Sequence, residues 1–226
     1  MYIDSANVKE IKECIQLGIF KGVTTNPTLL LKENKDRILQ LKKIANLEIG
    51  QLFIQLEGAT VAELLEDLTK IKQSLDVQHS QTEIIYKIAI DKSGLMAIKA
   101  IKEHHPNLAI LGTVIYSTEQ IYLASLAGCS YVAPYINRME NFGINPYEVI
   151  SAGHTYLSGR NSACQIMGAS FKNVLQVKSA YNAGASSVTL PKEILNKMLE
   201  QDNVTRAISQ FNQDGKQLIK QVSKGE

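Results

Sequence analysis

The chain has 226 residues, 45% of them apolar, with 14 Gly and 5 Pro scattered along its length, a composition that excludes disordered, fibrous and membrane-embedded classes. Its 24 Lys+Arg nearly balance its 22 Asp+Glu, for a net charge of +2, so no nucleic-acid partner is expected. No run approaches the roughly 18 apolar residues of a membrane span, and Asp4 stands where a secretory leader carries basic residues, so a cytoplasmic protein without a membrane partner is expected.

Short runs rich in Ile and Val alternate with stretches of helical period, and no linker divides them, which predicts one domain over residues 1–226. The first strand, residues 2–4, ends on Asp4. A helix follows from about Ser5, with Val8, Ile11, Ile15 and Gly18 on one side. The second strand, 22–25, runs into Thr24, Thr25 and Asn26, and the third, 52–56, carries Gln55 near its end. Leu64, Leu68, Ile71 and Leu75 stripe the next helix. The fourth strand, 84–90, contains Lys87. The fifth, 108–113, closes on Thr113, after which Ser117 and Gln120 read as a capping box. Gly128 closes a helix before the sixth strand, 130–135. Asn145-Pro146-Tyr147-Glu148 then opens a helix with a cap, a first-turn Pro and a Glu. The seventh strand, 165–170, closes on Ser170. Gly184 ends a helix before the eighth, 187–190. Beyond Pro191, residues 202–226 form a C-terminal helical extension whose Val204, Ile208, Phe211, Leu218, Ile219 and Val222 need burial. The stripe covers either a neighbouring subunit or the bottom of its own barrel.

Eight strand-helix alternations in this length fit an α/β fold of the (β/α)8 TIM-barrel type with an additional C-terminal helix. A doubly wound sheet is the alternative, but no Gly-x-Gly-x-x-Gly follows the first strand and no Gly-x-x-x-x-Gly-Lys-Ser/Thr occurs. Cys14, Cys129 and Cys164 are far apart and form no Cys-x-x-Cys pair, so they read as buried thiols. His79, His104, His105 and His154 lack metal-ligand spacing. Neither a metal nor an organic cofactor is implied.

Strands buried on both faces should be almost wholly apolar, yet polar residues gather late in each one, giving a polar barrel mouth. Lys87 is the sharpest anomaly, because a buried ammonium costs several kcal/mol unless it is paired or deprotonated. Desolvation would pull its pKa toward the ~7–8 that suits an amine attacking a carbonyl to form a Schiff base. The alternative is a lysine whose stem packs on the sheet while its head reaches water. Barrel geometry would surround the amine with Asp4, Gln55, Thr113 and Tyr135, groups suited to the proton transfers of imine formation and carbon–carbon cleavage. Each also has a structural use: Asp4 as a helix cap, Thr113 holding a loop, Gln55 as a paired buried amide, Tyr135 as a core tyrosine. Arg138, Ser170 and Lys172 form a candidate anion site if a helix starts after Ser170.

With these residues in place, the sequence resembles the transaldolase family of class I aldolases, and within it the fructose-6-phosphate aldolase-like group. The likeness rests on Gly22-Val23-Thr24-Thr25-Asn26-Pro27, Leu111-Gly112-Thr113, Tyr131-Val132-Ala133-Pro134-Tyr135-Ile136-Asn137-Arg138, Ala169-Ser170-Phe171-Lys172 and Val188-Thr189-Leu190-Pro191, in that order along most of the chain. It implies that Lys87 forms the Schiff base and that Asp4 handles the proton of the cleavage step. Gln55, Thr113 and Tyr135 would hold a relay water, Asn26 and Ser170 would contact the substrate, and Arg138 with Ser170 and Lys172 would hold a sugar phosphate. The resemblance further implies a homo-oligomer, a pentamer or decamer, and sugar-phosphate and dihydroxyacetone substrates. Transaldolases of the family tend to carry Glu, Asn and Phe where Gln55, Leu111 and Tyr135 stand, so reversible cleavage of fructose 6-phosphate is the leading expectation. Transaldolase transfer is second, and a non-catalytic sugar-phosphate-binding barrel is third.

Two residues oppose this placement. Strand alternation would put Asp91 on the same side as Lys87, favouring the ammonium, and Glu57 shares parity with Gln55 and competes for its role.

Overall fold

The computed structural model describes residues 1–75 and 81–222. Strands β1 (Tyr2–Asp4), β2 (Gly22–Thr24), β3 (Gln51–Gln55), β4 (Glu83–Ala89), β5 (Ile110–Ile115), β6 (Tyr131–Pro134), β7 (Gln165–Gly168) and β8 (Ser187–Leu190) pair in parallel, each with its neighbour in sequence. β8 then closes on β1, so the sheet is a closed barrel. The connecting helices are α1 (Val8–Ile15), α2 (Pro27–Lys32), α3 (Arg37–Ala45), α4 (Val61–Ser74), α5 (Lys92–His104), α6 (Thr118–Leu126), α7 (Ile136–Asn141), α8 (Pro146–Gly159), α9 (Val174–Asn182) and α10 (Lys192–Leu199). The chain is thus a (β/α)8 TIM barrel, to which α11 (Asp202–Val222) is appended. Among the described residues no helix is long and apolar enough to cross a membrane.

Two apolar layers follow from strand alternation. Outward-facing Ile3, Val23, Leu52, Ile54, Ile88 and Val132 pack against helix stripes such as Leu64, Leu68 and Ile71 of α4. Inward-facing Tyr2, Phe53, Ile85, Leu111, Ala133 and Met167 fill the middle of the barrel. Cys14, Cys129 and Cys164 are free thiols in the buried outer layer, and burial pushes Cys129 and Cys164 up to about 12, which makes them poor nucleophiles.

Local chemistry sets the helix ends, and in several places differs from the sequence expectation. α1 begins at Val8 rather than near Ser5, because the Asn7 side chain accepts from the Lys9 and Glu10 N–H groups at 3.0 and 3.1 Å. Ser117 caps α6 by accepting from Gln120 N–H, but the Gln120 side chain accepts from Tyr116 N–H instead of completing a box. Gly128 and Gly184 adopt left-handed φ of +86° and +107° just past α6 and α9, as expected of closing residues. β5 does not close on Thr113 but runs to Ile115 through a register shift between Gly112 and Ile115. Val114 sits at φ +59°, a costly conformation for a β-branched residue. Gln120 holds it there by donating to the Val114 and Ile90 carbonyls.

The C-terminal stripe corrects one expectation. Val204, Ile208, Phe211 and Leu218 are 50–71% exposed, so α11 does not cover the bottom of its own barrel. A helix docked there would bury this face.

Candidate active site

Pleat parity places most of the site, since residues two apart on a strand share a face. One step beyond the apolar layer of Phe53, Ile85, Leu111 and Ala133 come Gln55, Lys87, Thr113 and Tyr135. They lie at the C-terminal ends of β3 to β6, the end where barrel enzymes work. There a cavity of about 600 Å³ opens, and its wall includes Asp4, Asn26, Gln55, Lys87, Tyr135, Arg138, Ser170 and Lys172. Thr113 stands just behind that wall, its hydroxyl 2.8 Å from the Tyr135 hydroxyl. The structure therefore brings together all nine side chains singled out from the sequence.

Lys87 is 6% exposed and donates to the Thr25 carbonyl at 2.7 Å. Burial pulls its pKa down to about 8, with Asp4 pulling the other way. The head does not reach bulk water, so the bland alternative for this lysine is not the observed one. Desolvation raises the pKa of the Asp4 carboxyl, opposed by Lys87, the Thr24 hydrogen bond, Arg138 and Lys32. Thr24 Oγ1 donates to Asp4 Oδ1 at 2.7 Å, and the Thr189 hydroxyl lies 2.6 Å from the same Thr24 oxygen. With the Thr24 proton committed to Asp4, Thr189 must be the donor of that second bond. Asp4 caps no helix, since Asn7 does so.

Asp91 does not reach Lys87. β4 ends at Ala89, alternation ceases there, and the Asp91 side chain turns to cap α5, accepting from Gly94 N–H at 2.7 Å. Glu57 likewise leaves the barrel, pairing with Arg37 at 3.0 Å. Arg37 also binds Asp67 and donates to the Gln55 carbonyl, so Gln55, not Glu57, enters the cavity wall.

Arg138 lies across the mouth from β2, because it follows β6, which is diametrically opposite β2 in an eight-stranded ring. Arg138 on α7 sits 4.9 Å over the Tyr135 ring, and a hydrogen bond with Tyr116 raises its pKa further. Ser170 opens no helix: it takes a left-handed φ of +64°, and α9 starts only at Val174, capped by Asn173. The anion pole thus consists of Arg138 on α7 and of Ser170 and Lys172 on the loop between β7 and α9, without the helix start expected after Ser170. His79 lies outside the described residues, and His104 and His105 end α5 away from the mouth.

Sequence reasoning missed the Thr24–Thr189 support under Asp4, although both threonines stood inside the quoted strings. It also missed Lys32 and Asn137 in the cavity wall and Tyr116 on Arg138. For Lys32 no sequence signal existed; the position of Asn137 beside Arg138 was such a signal.

The model of a family described as transaldolase/fructose-6-phosphate aldolase matches residues 1–224. A relative named "Probable transaldolase" from Clostridioides difficile (strain 630) is 32% identical over 216 residues, which span 94% of this chain and 95% of the relative.

Proposed function

The chain belongs to the transaldolase/fructose-6-phosphate aldolase family of enzymes, and we propose that within it this protein is a class I aldolase. It reversibly cleaves fructose 6-phosphate to dihydroxyacetone and glyceraldehyde 3-phosphate. The observation that carries this reading is the buried Lys87 amine, with a pKa of about 8, facing a 600 Å³ cavity with Asp4 on its wall. At pH 7 about one molecule in ten then holds the neutral amine, far more than for a solvated lysine.

The neutral Nζ attacks the substrate's C2 carbonyl and forms a carbinolamine. Loss of water to the imine needs a proton delivered to the departing hydroxyl, which a water held between Gln55 and Tyr135, with Thr113 fixing the Tyr135 hydroxyl from behind, supplies. The protonated imine draws electrons from the C3–C4 bond while Asp4 takes the C4 hydroxyl proton, so glyceraldehyde 3-phosphate leaves and an enamine stays on Lys87. Protonation of the enamine carbon and hydrolysis of the resulting imine release dihydroxyacetone and restore the amine. Asn26, at the cap of α2, contacts the substrate from the β2 side, while Arg138, Ser170 and Lys172 hold the phosphate from the far side.

The choice of aldolase over transfer rests on Gln55 and Tyr135. The Tyr135 hydroxyl stands on the cavity wall as a proton donor where transaldolases of the family tend to carry Phe, and a donor beside the enamine favours its protonation and release over waiting for a second aldose. Transaldolase transfer is the second reading, favoured by the name of the relative. The exposed apolar stripe of α11 supports a homo-oligomer, in which another copy covers it.

Incubation with dihydroxyacetone or fructose 6-phosphate followed by borohydride is expected to leave one three-carbon mass adduct on Lys87. Free dihydroxyacetone is expected without any acceptor aldose. An adduct without release unless an acceptor is added would instead establish the transfer reading, and no adduct would leave only a binding barrel.

A further inference from the structure

We propose that the buried Gln176 is a positioning residue for the anion pole, holding Asn137 so that its amide nitrogen faces the cavity as a further donor to the substrate's phosphate. The inference rests on the sugar-phosphate reading above, but different atoms carry it.

Gln176 lies in the first turn of α9 and is only 3% exposed. Burying an amide is costly unless its polar atoms are paired, and here they are. Its Oε1 accepts from the Lys172 main-chain N–H at 2.7 Å, and its Nε2 donates to Glu140 Oε2 at 2.5 Å and to Asn137 Oδ1 at 3.2 Å. A main-chain N–H can only donate and a carboxylate only accepts, so these two partners fix from both ends which way the Gln176 amide points. Its second N–H hydrogen must then meet the oxygen of Asn137, which turns that oxygen toward α9.

Asn137 itself lines the cavity, next in sequence to Arg138. With its oxygen engaged behind the wall, its NH2 group is the end left to the cavity, and a donor there complements an anion. A freely rotating Asn137 would instead present an acceptor to phosphate about as readily as a donor. The brace has a firm far end, because the other oxygen of Glu140 accepts from the Tyr147 hydroxyl of α8 at 2.8 Å. It also joins α7, which carries Arg138, to the loop between β7 and α9, which carries Ser170 and Lys172. Asn137 N–H donates to the Ser170 carbonyl at 2.9 Å, and Gln176 grips Lys172 two residues on. The buried amide therefore ties Lys172 to α7, and the main-chain bond ties Ser170 to it.

Binding of inorganic phosphate to the full chain, followed by NMR titration, tests this independently of the chemistry on Lys87. Gln176→Leu is expected to weaken phosphate about tenfold, and Asn137→Asp, which puts an acceptor-only carboxylate on the wall, by more than that. In kinetics, Gln176→Leu is expected to raise KM for fructose 6-phosphate about tenfold while kcat changes less than about twofold. Borohydride trapping of unphosphorylated dihydroxyacetone on Lys87 is expected to match wild type. Unchanged phosphate affinity in both variants overturns the proposal. So does an equal loss of phosphate binding and dihydroxyacetone trapping in Gln176→Leu, the mark of general loosening. Should Gln176→Leu not fold, Asn137→Asp decides alone. Absence of any adduct in wild type would sink the aldolase reading, and the phosphate titration would still decide this one.

Discussion

The two ends of the barrel interior are built from the same four strands and behave in opposite ways. At the base, β1, β3, β4 and β6 contribute Tyr2, Gln51, Glu83 and Tyr131; at the mouth, the same strands and their ends contribute Asp4, Gln55, Lys87 and Tyr135. Both sets point inward by parity, with Phe53, Ile85 and Ala133 between them. The base closes on itself. Tyr2 donates to Gln51 at 2.7 Å, and Gln51 donates to Glu83 at 2.8 Å and to Tyr131 at 3.4 Å. The mouth keeps its groups facing 600 Å³ of space, with an amine and a carboxyl whose pKa values are displaced toward each other. Polarity inside a barrel is therefore no sign of chemistry by itself; what distinguishes the mouth is polar groups left for a substrate to pair.

The largest expected effect that separates the two ends comes from Lys87→Met. The variant is expected to lose at least about a thousandfold in cleavage rate, because the other amines of the wall, Lys32 and Lys172, are exposed and lack the burial that activates Lys87. It is also expected to be more stable. Burial depresses the folded-state pKa of Lys87 from 10.5 to about 8, so the penalty for a buried ammonium is fully present below pH 8. It is relieved as pH rises through the window from 8 to 10.5, where the unfolded chain binds more protons than the folded one. Thermal unfolding near pH 7 should show a gain of about 1–3 kcal/mol that shrinks toward pH 10.5. A variant less stable than wild type at pH 7 would mean that the ammonium is well paired and the mouth is not primed.

Asp4→Asn ranks next, with an expected rate loss on the order of a hundredfold to ten-thousandfold for a missing general base. It carries a second signature. For wild type, kcat/KM should rise about tenfold per pH unit up to a limb near pH 8, as the amine loses its proton. Asp4 raises the Lys87 pKa, so its removal should move that limb to lower pH. A residual activity whose limb stays in place or moves upward would show that Asp4 does not act on Lys87.

The sequence showed the mouth more clearly than the elements around it, for a physical reason. Lys87 and Gln55 stand in runs whose neighbours are Ile, Leu and Phe, so a polar residue there contradicts its surroundings and is visible without coordinates. Parity then aligns such residues on one face. The same rule misled at Asp91 and Glu57, because it holds only while the strand lasts: β4 stops at Ala89 and β3 at Gln55. Beyond those points the side chains answer to a helix cap and to Arg37. The start of α9 was misplaced for a related reason. A strand end followed by Ser reads as a cap, but the left-handed turn at Ser170 hands that role to Asn173. Gln176 was invisible, since its importance lies in partners 36 and 39 residues away.

The smallest expected effect tests the base. Tyr2→Phe removes the hydroxyl that donates to Gln51 and keeps the ring, which packs edge-on against Phe53 at a centroid distance of 5.1 Å. Gln51 Oε1 loses its donor at a half-buried position, so a cost of up to about 1 kcal/mol is expected, read as a melting temperature lower by at most about 2–4 °C in a chain of this size. The apolar layer lies between this bond and Lys87, and no charge changes. The pH limb near 8 and kcat/KM for fructose 6-phosphate should therefore stay where they are, within about twofold. A loss of activity comparable to that of Asp4→Asn would mean that the base tunes the mouth through the barrel core. The two ends would then be one device, and the division drawn between them would fail.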